Sequence, residues 1–231
     1  MLSVLRKELK FRIFIQEFAA LRPSLDALLC RDCHGGDFGY PVRSLYFDSW
    51  NDRSYYDAVD GLPEKTKIRL RTYGPDSPIK LEQKHKLGSD SCKQSLLLCR
   101  EEAEAIQHCD YAFLQSRPEP AARQIYLYLT LGACRPKSLI EYCREAYTFP
   151  AGDVRITFDS GTRSTASGWN LFDPFPPFTP VTPGGTGVLE VKYSGFLPSF
   201  VKGLLETGRL PAASSKYVES RDFFQMGGDL K

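Results

Sequence analysis

Several segments of the chain place a charged residue at every second position, with apolar residues between. Successive side chains of a β-strand point to opposite faces, so in each segment the charges share one face and the apolar residues share the other. The segments are residues 8–12, 67–73, 80–86, 155–159 and 189–193. A single strand of this kind is typical of a sheet with one face in water. The repeated pattern, rich in lysine and arginine, indicates charged faces that converge on an anionic ligand, because neighbouring like charges otherwise repel.

The rest of the pattern predicts helices between extended segments. Helical spacing occurs over residues 14–29, 101–114, 121–131 and 197–207. Pro23 is expected to break or restart the first of these helices. Further strands are predicted at residues 42–48, 138–147 and 154–159, and a long loop at residues 166–187, which are rich in proline, glycine and aromatic residues. The pattern favours an α+β fold, an eight-stranded antiparallel β-barrel with a charged interior and helices packed outside.

Composition narrows the class of protein. The 231 residues are 42% hydrophobic, which predicts a globular chain, and we expect residues 1–231 to form a single domain. A formal net charge of +2 argues against a nucleic-acid-binding surface, so any strong positive field has to be local. No apolar run is long enough to span a bilayer, and charges follow Met1 too soon for a signal peptide. A cytoplasmic protein with reduced cysteines is expected.

Basic side chains have to supply any phosphate site in this chain. The glycine cluster at residues 184–187 lacks the lysine and the Ser or Thr that complete a nucleotide-binding P-loop. Arginine pairs bidentately with phosphate oxygens, whereas lysine supplies a point charge. Arg69, Arg71, Lys84 and Lys86 are the appropriate residue types at alternating positions of two predicted strands.

The order of these segments resembles the VTC domain, the polyphosphate polymerase branch of the triphosphate tunnel metalloenzymes. The matching segments follow the family order over nearly the whole chain and are residues 6–10, 42–48, 67–73, 81–84, 142–144, 155–159, 189–193 and 215–218. The family fold is an eight-stranded antiparallel tunnel with a charged interior. Arg6 replaces the first acid of the Glu-x-Glu-x-Lys motif of the related CYTH branch, while Glu8 and Lys10 keep the rest. The chain therefore resembles a stand-alone, bacterial-type VTC domain more than a CYTH enzyme.

The resemblance implies a role for each matching position. The residues that would bind phosphate are Lys10, Arg69, Arg71, Lys84, Lys93, Arg144, Arg155 and Lys216. Those that would take part directly in catalysis are Arg69, Arg71, Lys84 and Lys216. Glu190 would coordinate a divalent metal, Mn²⁺ or Mg²⁺, and Glu8, Glu82 and Lys192 would project into the same interior. The alternative for each residue is a structural salt bridge in a charged barrel.

The resemblance also implies a reaction. It is the metal-dependent transfer of the γ-phosphoryl group of ATP to a growing polyphosphate chain, with ATP and inorganic polyphosphate as ligands and no nucleic acid. A separate membrane protein is a further partner that the resemblance allows, and the chain is expected to have no transmembrane segment of its own. Two alternatives stay open: hydrolysis of triphosphate or polyphosphate in the same tunnel, and a non-catalytic module that senses polyphosphate.

Overall fold

The computed structural model describes residues 6–33, 35–36, 38–74, 77–88, 90–165, 167–205 and 213–228, which form ten strands and six helices. The strands are β1 (Arg6–Phe14), β2 (Cys30–Arg31), β3 (Tyr40–Asp48), β4 (Glu64–Thr72), β5 (Ile79–Leu87), β6 (Asp90–Leu98), β7 (Arg135–Phe149), β8 (Val154–Thr165), β9 (Thr179–Pro180) and β10 (Thr186–Ser194). The helices are α1 (Ile15–Leu28), α2 (Arg53–Val59), α3 (Arg100–Gln107), α4 (Pro120–Leu131), α5 (Ser199–Leu204) and α6 (Lys216–Gly228). The chain is therefore α+β, as predicted.

Hydrogen bonds order the main strands β1-β10-β8-β7-β3-β4-β5-β6, with β2 beside β7 and β9 beside β8. The pairs β1–β10, β10–β8, β3–β4, β4–β5 and β5–β6 are all antiparallel, which confirms a large antiparallel sheet. The predicted closed barrel of eight strands is wrong for the described residues, because β1 and β6 end the order without pairing with each other. Strand β6 is exposed and polar over most of its length, as edge strands commonly are.

The chain divides into two compact units. The first consists of Met1–Pro41, Tyr142–Thr162 and Thr182–Ser215, and the second of Val42–Glu141, Arg163–Val181 and Lys216–Lys231. The expectation that residues 1–231 form a single domain stays a prediction.

The core of the first unit lies under helix α1. Phe18 on this helix stacks on Phe158 of β8, with ring centroids 4.0 Å apart. The Glu17 carboxylate accepts a hydrogen bond from the Phe14 N–H at 2.6 Å, which satisfies a donor at the start of the helix. The predicted break at Pro23 is wrong, since α1 continues through it. Phe18 and Leu25 are buried on either side of the proline, and this packing holds the helix together.

The core of the second unit covers the apolar face of strands β3 to β6. Its buried residues include Leu45, Ile68, Leu70, Leu81 and Leu96 from the strands, and Ile106, Ile125 and Leu129 from helices α3 and α4. Burial of each such side chain stabilises the fold by about 2 kcal/mol. Because side chains alternate along each strand, this packing leaves the charged positions of the same strands on the opposite face.

Helix α6, which the sequence pattern did not predict, is held in the second unit by polar contacts. The Tyr217 hydroxyl donates to the Asp48 carboxylate at 2.7 Å. That carboxylate also accepts from the Ser54 N–H at 2.8 Å, at the start of α2. Arg221 forms two hydrogen bonds with Asp52, at 2.9 and 2.8 Å. These contacts fix the beginning of α6, where Lys216 lies.

Other predicted elements are confirmed with shifted ends. Strands β3, β4, β5 and β10 coincide with predicted extended segments, whereas β7 and β8 extend beyond theirs. The helix predicted at residues 101–114 is shorter, because α3 ends at Gln107 and a 3₁₀ turn follows at Ala112–Ser116. Helix α5 ends at Leu204, and residues 206–212 lie outside the described part of the chain. No described helix is both long enough and apolar enough to cross a membrane.

Candidate functional site

One face of strands β4, β5 and β6 in the second unit, called here the basic face, collects most of the predicted phosphate-binding residues of that unit. Its basic residues are Lys65, Lys67, Arg69, Arg71, Lys80, Lys84, Lys86 and Lys93. Like charges lie directly opposite each other in the strand register at Lys65–Lys86, Lys67–Lys84, Arg71–Lys80 and Lys84–Lys93. Such pairs destabilise a sheet. The register therefore concentrates positive charge on this face, which suits an anionic ligand.

Among the described residues of β4 to β6, Glu82 is the only acidic residue on the basic face, and it is buried. One of its carboxylate oxygens lies 2.7 Å from Arg69 Nη2 and 3.9 Å from Arg71 Nη1, and the other forms an ion pair with Lys93. Burial alone would raise the pKa of Glu82, but Arg69 and Arg71 outweigh it and lower the pKa to about 2. Glu82 is therefore charged at neutral pH and holds the two arginines together.

Arg69 and Arg71 are further oriented by strand β3. Arg69 Nη1 donates to the Tyr46 hydroxyl at 2.9 Å, and Arg71 Nε donates to Ser44 Oγ at 2.9 Å. Both acceptors lie directly opposite their arginine in the β3–β4 register. Neutral acceptors of this kind orient a guanidinium without cancelling its charge, so the pair keeps its attraction for an anion.

Helix α6 contributes to the same part of the second unit through an aromatic stack. The Tyr217 ring stacks on the Tyr46 ring with centroids 5.2 Å apart and an interplanar angle of 17°. Lys216, a predicted phosphate-binding residue, is the adjacent residue and the first of α6. The structure thus brings together Arg69, Arg71, Lys84 and Lys93, and places Lys216 one residue from the ring that packs on Tyr46.

The charged face of the first unit is organised differently, because opposite charges face each other. Glu8 lies opposite Lys192, and Lys10 lies opposite Glu190, in the β1–β10 register. Lys10 Nζ is 2.9 Å from a Glu8 oxygen and 3.8 Å from a Glu190 oxygen, and it donates to the Ser214 carbonyl at 3.2 Å. Lys192 forms an ion pair with Glu190. The structural salt bridge considered as the alternative for these residues is present here.

Arg144 and Arg155 are predicted phosphate-binding residues of the first unit. Arg144 forms two hydrogen bonds with Asp159, at 2.7 and 2.8 Å. Burial would lower the pKa of Arg144, but Tyr142 and Asp159 outweigh it and raise the pKa. Arg155 Nη2 donates to Asp32 at 2.7 Å, so each arginine has a carboxylate partner of its own.

Oxygen atoms around Glu190 could hold a hard divalent cation. Glu190 is buried, and burial would raise its pKa, but Lys192 and Lys10 outweigh this effect and lower the pKa. Thr157 lies opposite Glu190 in the β10–β8 register, and its buried hydroxyl has no hydrogen-bond partner among the described residues. The described residues contain no cluster of three or more His, Cys, Asp or Glu side chains. Two carboxylates, Glu8 and Glu190, with one hydroxyl suit Mg²⁺ or Mn²⁺, which usually takes few protein ligands and completes its shell with substrate phosphates and water.

Interpretation of the sequence missed the partners of the predicted residues. Tyr46 and Ser44 alternate along the strand predicted at residues 42–48, so period-two spacing could have placed them on the face of the arginines. Asp159, the partner of Arg144, ends the charged segment at residues 155–159. The same spacing puts it on the face of Arg155. Asp32 gave no signal, because it lies outside every alternating segment.

Comparison with known proteins supports the fold. A candidate adenylate cyclase from Bacillus halodurans aligns with a TM-score of 0.53 and 12% identity over 91% of this chain and 95% of its own. A candidate adenylate cyclase from Vibrio parahaemolyticus aligns with a TM-score of 0.51 and 9% identity over 97% of this chain and 99% of its own. No match is found among the curated proteins. The family model of the VTC domain matches residues 5–224, nearly the whole sequence. The chain therefore belongs to the VTC-domain family.

Proposed function

We propose that the protein is a metal-dependent polyphosphate polymerase that transfers the γ-phosphoryl group of ATP to a growing polyphosphate chain. The observation that carries the proposal is the register of β4, β5 and β6, in which lysines and arginines face one another around the single carboxylate of Glu82. A linear phosphate chain carries closely spaced negative charges, which would complement the positive charges along these strands. Membership of the VTC-domain family supports the same ligand class.

The basic face would act mainly by positioning and by neutralising charge. Phosphoryl transfer needs little covalent chemistry from the protein, because the attacking group is a phosphate oxygen of the acceptor. Arg69 and Arg71 would bind non-bridging phosphate oxygens in the orientation that Glu82 sets. Lys84 and Lys93 would neutralise charge beside them. No side-chain nucleophile is required.

The metal would be held in the first unit. Glu190 and Glu8 would supply carboxylate oxygens and Thr157 a hydroxyl. Bound there, Mn²⁺ or Mg²⁺ would supply charge stabilisation for the phosphoryl oxygens. Lys10 and Lys192, which now pair with the two carboxylates, would have to release them in part, so we propose that the carboxylates exchange a lysine partner for the metal.

Hydrolysis of triphosphate or polyphosphate is the second candidate. The arginines and lysines of the basic face bind phosphate oxygens whatever the acceptor, so water could take the place of the polyphosphate end. A module that only senses polyphosphate would use the basic face alone. The oxygen ligands around Glu190 favour a catalytic site over sensing.

The deciding experiment incubates purified protein with ATP and Mn²⁺ or Mg²⁺ and separates polyphosphate from free phosphate. Polymerase activity gives metal-dependent polyphosphate and ADP. Free phosphate without polyphosphate assigns a hydrolase, and binding without turnover assigns a sensor. Arg69→Ala should abolish either activity. Arg117→Ala is the matched control, because Arg117 has a similarly exposed side chain, 21% against 23%, and its carboxylate partners, Glu102 and Glu119, are not residues of the basic face.

A further inference from the structure

The hydroxyl of Tyr46 has an unused hydrogen-bond donor at the basic face. Tyr46 lies opposite Arg69 in the β3–β4 register and is only 6% exposed. Its hydroxyl oxygen accepts from Arg69 Nη1 at 2.9 Å, and among the described residues this is the only hydrogen bond of the hydroxyl. A guanidinium can only donate, so the phenolic proton itself has no acceptor. A buried hydrogen-bond donor without an acceptor destabilises the protein, unless a ligand supplies the acceptor.

The position of the hydroxyl is fixed. The Tyr46 ring is stacked on the Tyr217 ring, and Tyr217 in turn donates to Asp48 at 2.7 Å. The contact with Arg69 fixes the opposite end of the side chain. A fixed hydroxyl donor beside a guanidinium can hydrogen-bond to the oxygens of a phosphate group together with that guanidinium.

We infer that Tyr46 is a ligand-binding residue, whose hydroxyl donates a hydrogen bond to a phosphate oxygen of the substrate while it keeps Arg69 in place. This inference rests on the proposed binding of phosphate chains to the basic face. It adds a neutral donor to a set of residues that is otherwise cationic. The donor also makes binding depend on the protonation state of a single phenol.

The charged groups around the phenol give the direction of that dependence. Lys67, Arg69 and Arg71 lie on β4, Glu82 lies on β5, and Tyr217 packs from α6. Burial would raise the pKa of Tyr46, but Arg69 and Arg71 outweigh it and lower the pKa to about 8. Above that pH the empty site carries a phenolate, which has no proton to donate and repels phosphate. A bound phosphate raises the pKa again, so affinity falls as the pH rises through 8.

The test measures pyrophosphate binding by calorimetry without metal, for wild type and Tyr46→Phe at pH 6.5 and pH 9.5. The dissociation constant of Tyr46→Phe is divided by that of wild type at each pH, and this ratio cancels the ionisation of pyrophosphate itself. We expect Tyr46→Phe to bind about tenfold more weakly or worse at pH 6.5. We expect that ratio to fall by about fivefold or more at pH 9.5, where wild type has lost its donor. Tyr128→Phe, whose hydroxyl bonds to Ser54 at 3.3 Å, is the matched control and should bind as wild type does.

Different failures have different meanings. If wild type does not bind pyrophosphate, the proposed function fails and this inference fails with it. If wild type binds but Tyr46→Phe binds equally well at pH 6.5, only the role of Tyr46 is overturned. A ratio that is the same at both pH values also overturns it, because a purely structural hydroxyl would give that result.

A measurement on wild type alone covers the case in which Tyr46→Phe fails to fold. Absorbance near 295 nm follows the ionisation of tyrosine. We expect one tyrosine to ionise with a midpoint near pH 8 in the free protein, and saturating pyrophosphate to move that midpoint upward. A midpoint that pyrophosphate leaves unchanged would overturn the inference.

Discussion

Lys67 of β4 lies directly opposite Lys84 of β5, with no acidic residue between them in the register. Lys84 also lies opposite Lys93 on its other side. Three neighbouring strands therefore place positive charges at the same level of the sheet. In the first unit, the β1–β10 register instead pairs lysine with glutamate, as at Lys10 and Glu190. The contrast makes the basic face the candidate anion site among the described residues.

Tripolyphosphate should stabilise the protein against unfolding. A ligand that binds only the folded state, at about 100 times its dissociation constant, adds roughly 2.7 kcal/mol to the free energy of unfolding. The measurement is thermal melting with tripolyphosphate, compared with sodium chloride at equal ionic strength. Equal melting temperatures in the two salts would remove the argument from repulsion.

Lys84→Gln tests the basic face from within the protein. It removes a positive charge that lies opposite both Lys67 and Lys93 in the register, so tripolyphosphate should bind the variant about tenfold more weakly or worse. The stabilisation by tripolyphosphate should become smaller to match. Urea unfolding with and without the ligand measures this effect. Equal stabilisation of wild type and variant by tripolyphosphate would show that Lys84 does not bind the anion.

Arg69→Ala should weaken tripolyphosphate binding by about 1.5–3 kcal/mol, which is about tenfold to more than a hundredfold. Arg69 loses a charge-assisted contact, and Glu82 keeps Arg71 and Lys93 as partners, so the fold should survive. Calorimetric titration measures the affinity, and Arg117→Ala is the control. The same loss of affinity in Arg117→Ala would mean that the effect reports stability or net charge.

Glu82→Gln should destabilise the protein at neutral pH and lose this effect in acid. The pKa of Glu82 is about 2 in the fold against an ordinary value of 4.5, so its ionisation stabilises the fold by about 3 kcal/mol at pH 7. A lowered pKa gives stability that is fully present above the unfolded value and is lost as pH falls through the folded value. The difference between wild type and variant should therefore shrink by about half at pH 3.

Urea unfolding of both proteins at pH 7, 4 and 3 measures that difference, and the other carboxylates cancel in the comparison. Tripolyphosphate should also stabilise Glu82→Gln more than wild type, because the ligand takes the place of the missing anion between the arginines. A difference in stability that stays constant from pH 7 to pH 3 would show that shape, and not charge, is what Glu82 contributes.

The sequence predicted two strands of the basic face, β4 and β5, because their alternation is local. Period two in residues 67–73 and 80–86 fixes which side chains share a face without knowledge of any partner, and apolar neighbours such as Leu70 and Leu81 fix which face is buried. The two strands are close in the sequence, so their pairing also followed. This much of the candidate site needed no tertiary information.

Features that depend on distant contacts could not be predicted. Strand β6 has only Leu96 and Leu98 as buried apolar residues, so its pattern is weak. Helix α6 is held by the contact of Tyr217 with Asp48, which lies far away in the sequence. The carboxylate partner of Arg155, Asp32, is equally remote. Whether the sheet closes depends on its two edge strands, which local alternation does not determine.

Glu190→Gln should separate metal chemistry from phosphate binding. Glu190 is buried between Lys10 and Lys192, and a carboxylate that only balanced lysines would matter for stability alone. As a metal ligand it acts on charge that develops during transfer, so its loss should reduce turnover far more than affinity for tripolyphosphate. We expect Glu190→Gln to abolish metal-dependent ATP turnover while tripolyphosphate still binds. Loss of the anion should leave that binding as tight as in wild type or tighter.

Binding of Mn²⁺, followed by its electron paramagnetic resonance signal, gives a second readout that does not depend on turnover, and it should weaken in Glu190→Gln. Glu145→Gln is the matched control. The Glu145 side chain is 11% exposed against 10% for Glu190, and it forms an ion pair with Arg22 in the same unit. This control should lose stability but keep both Mn²⁺ binding and turnover. Near-normal metal-dependent turnover in Glu190→Gln would contradict the assignment and make Glu8, the other carboxylate beside Lys10, the metal ligand to test.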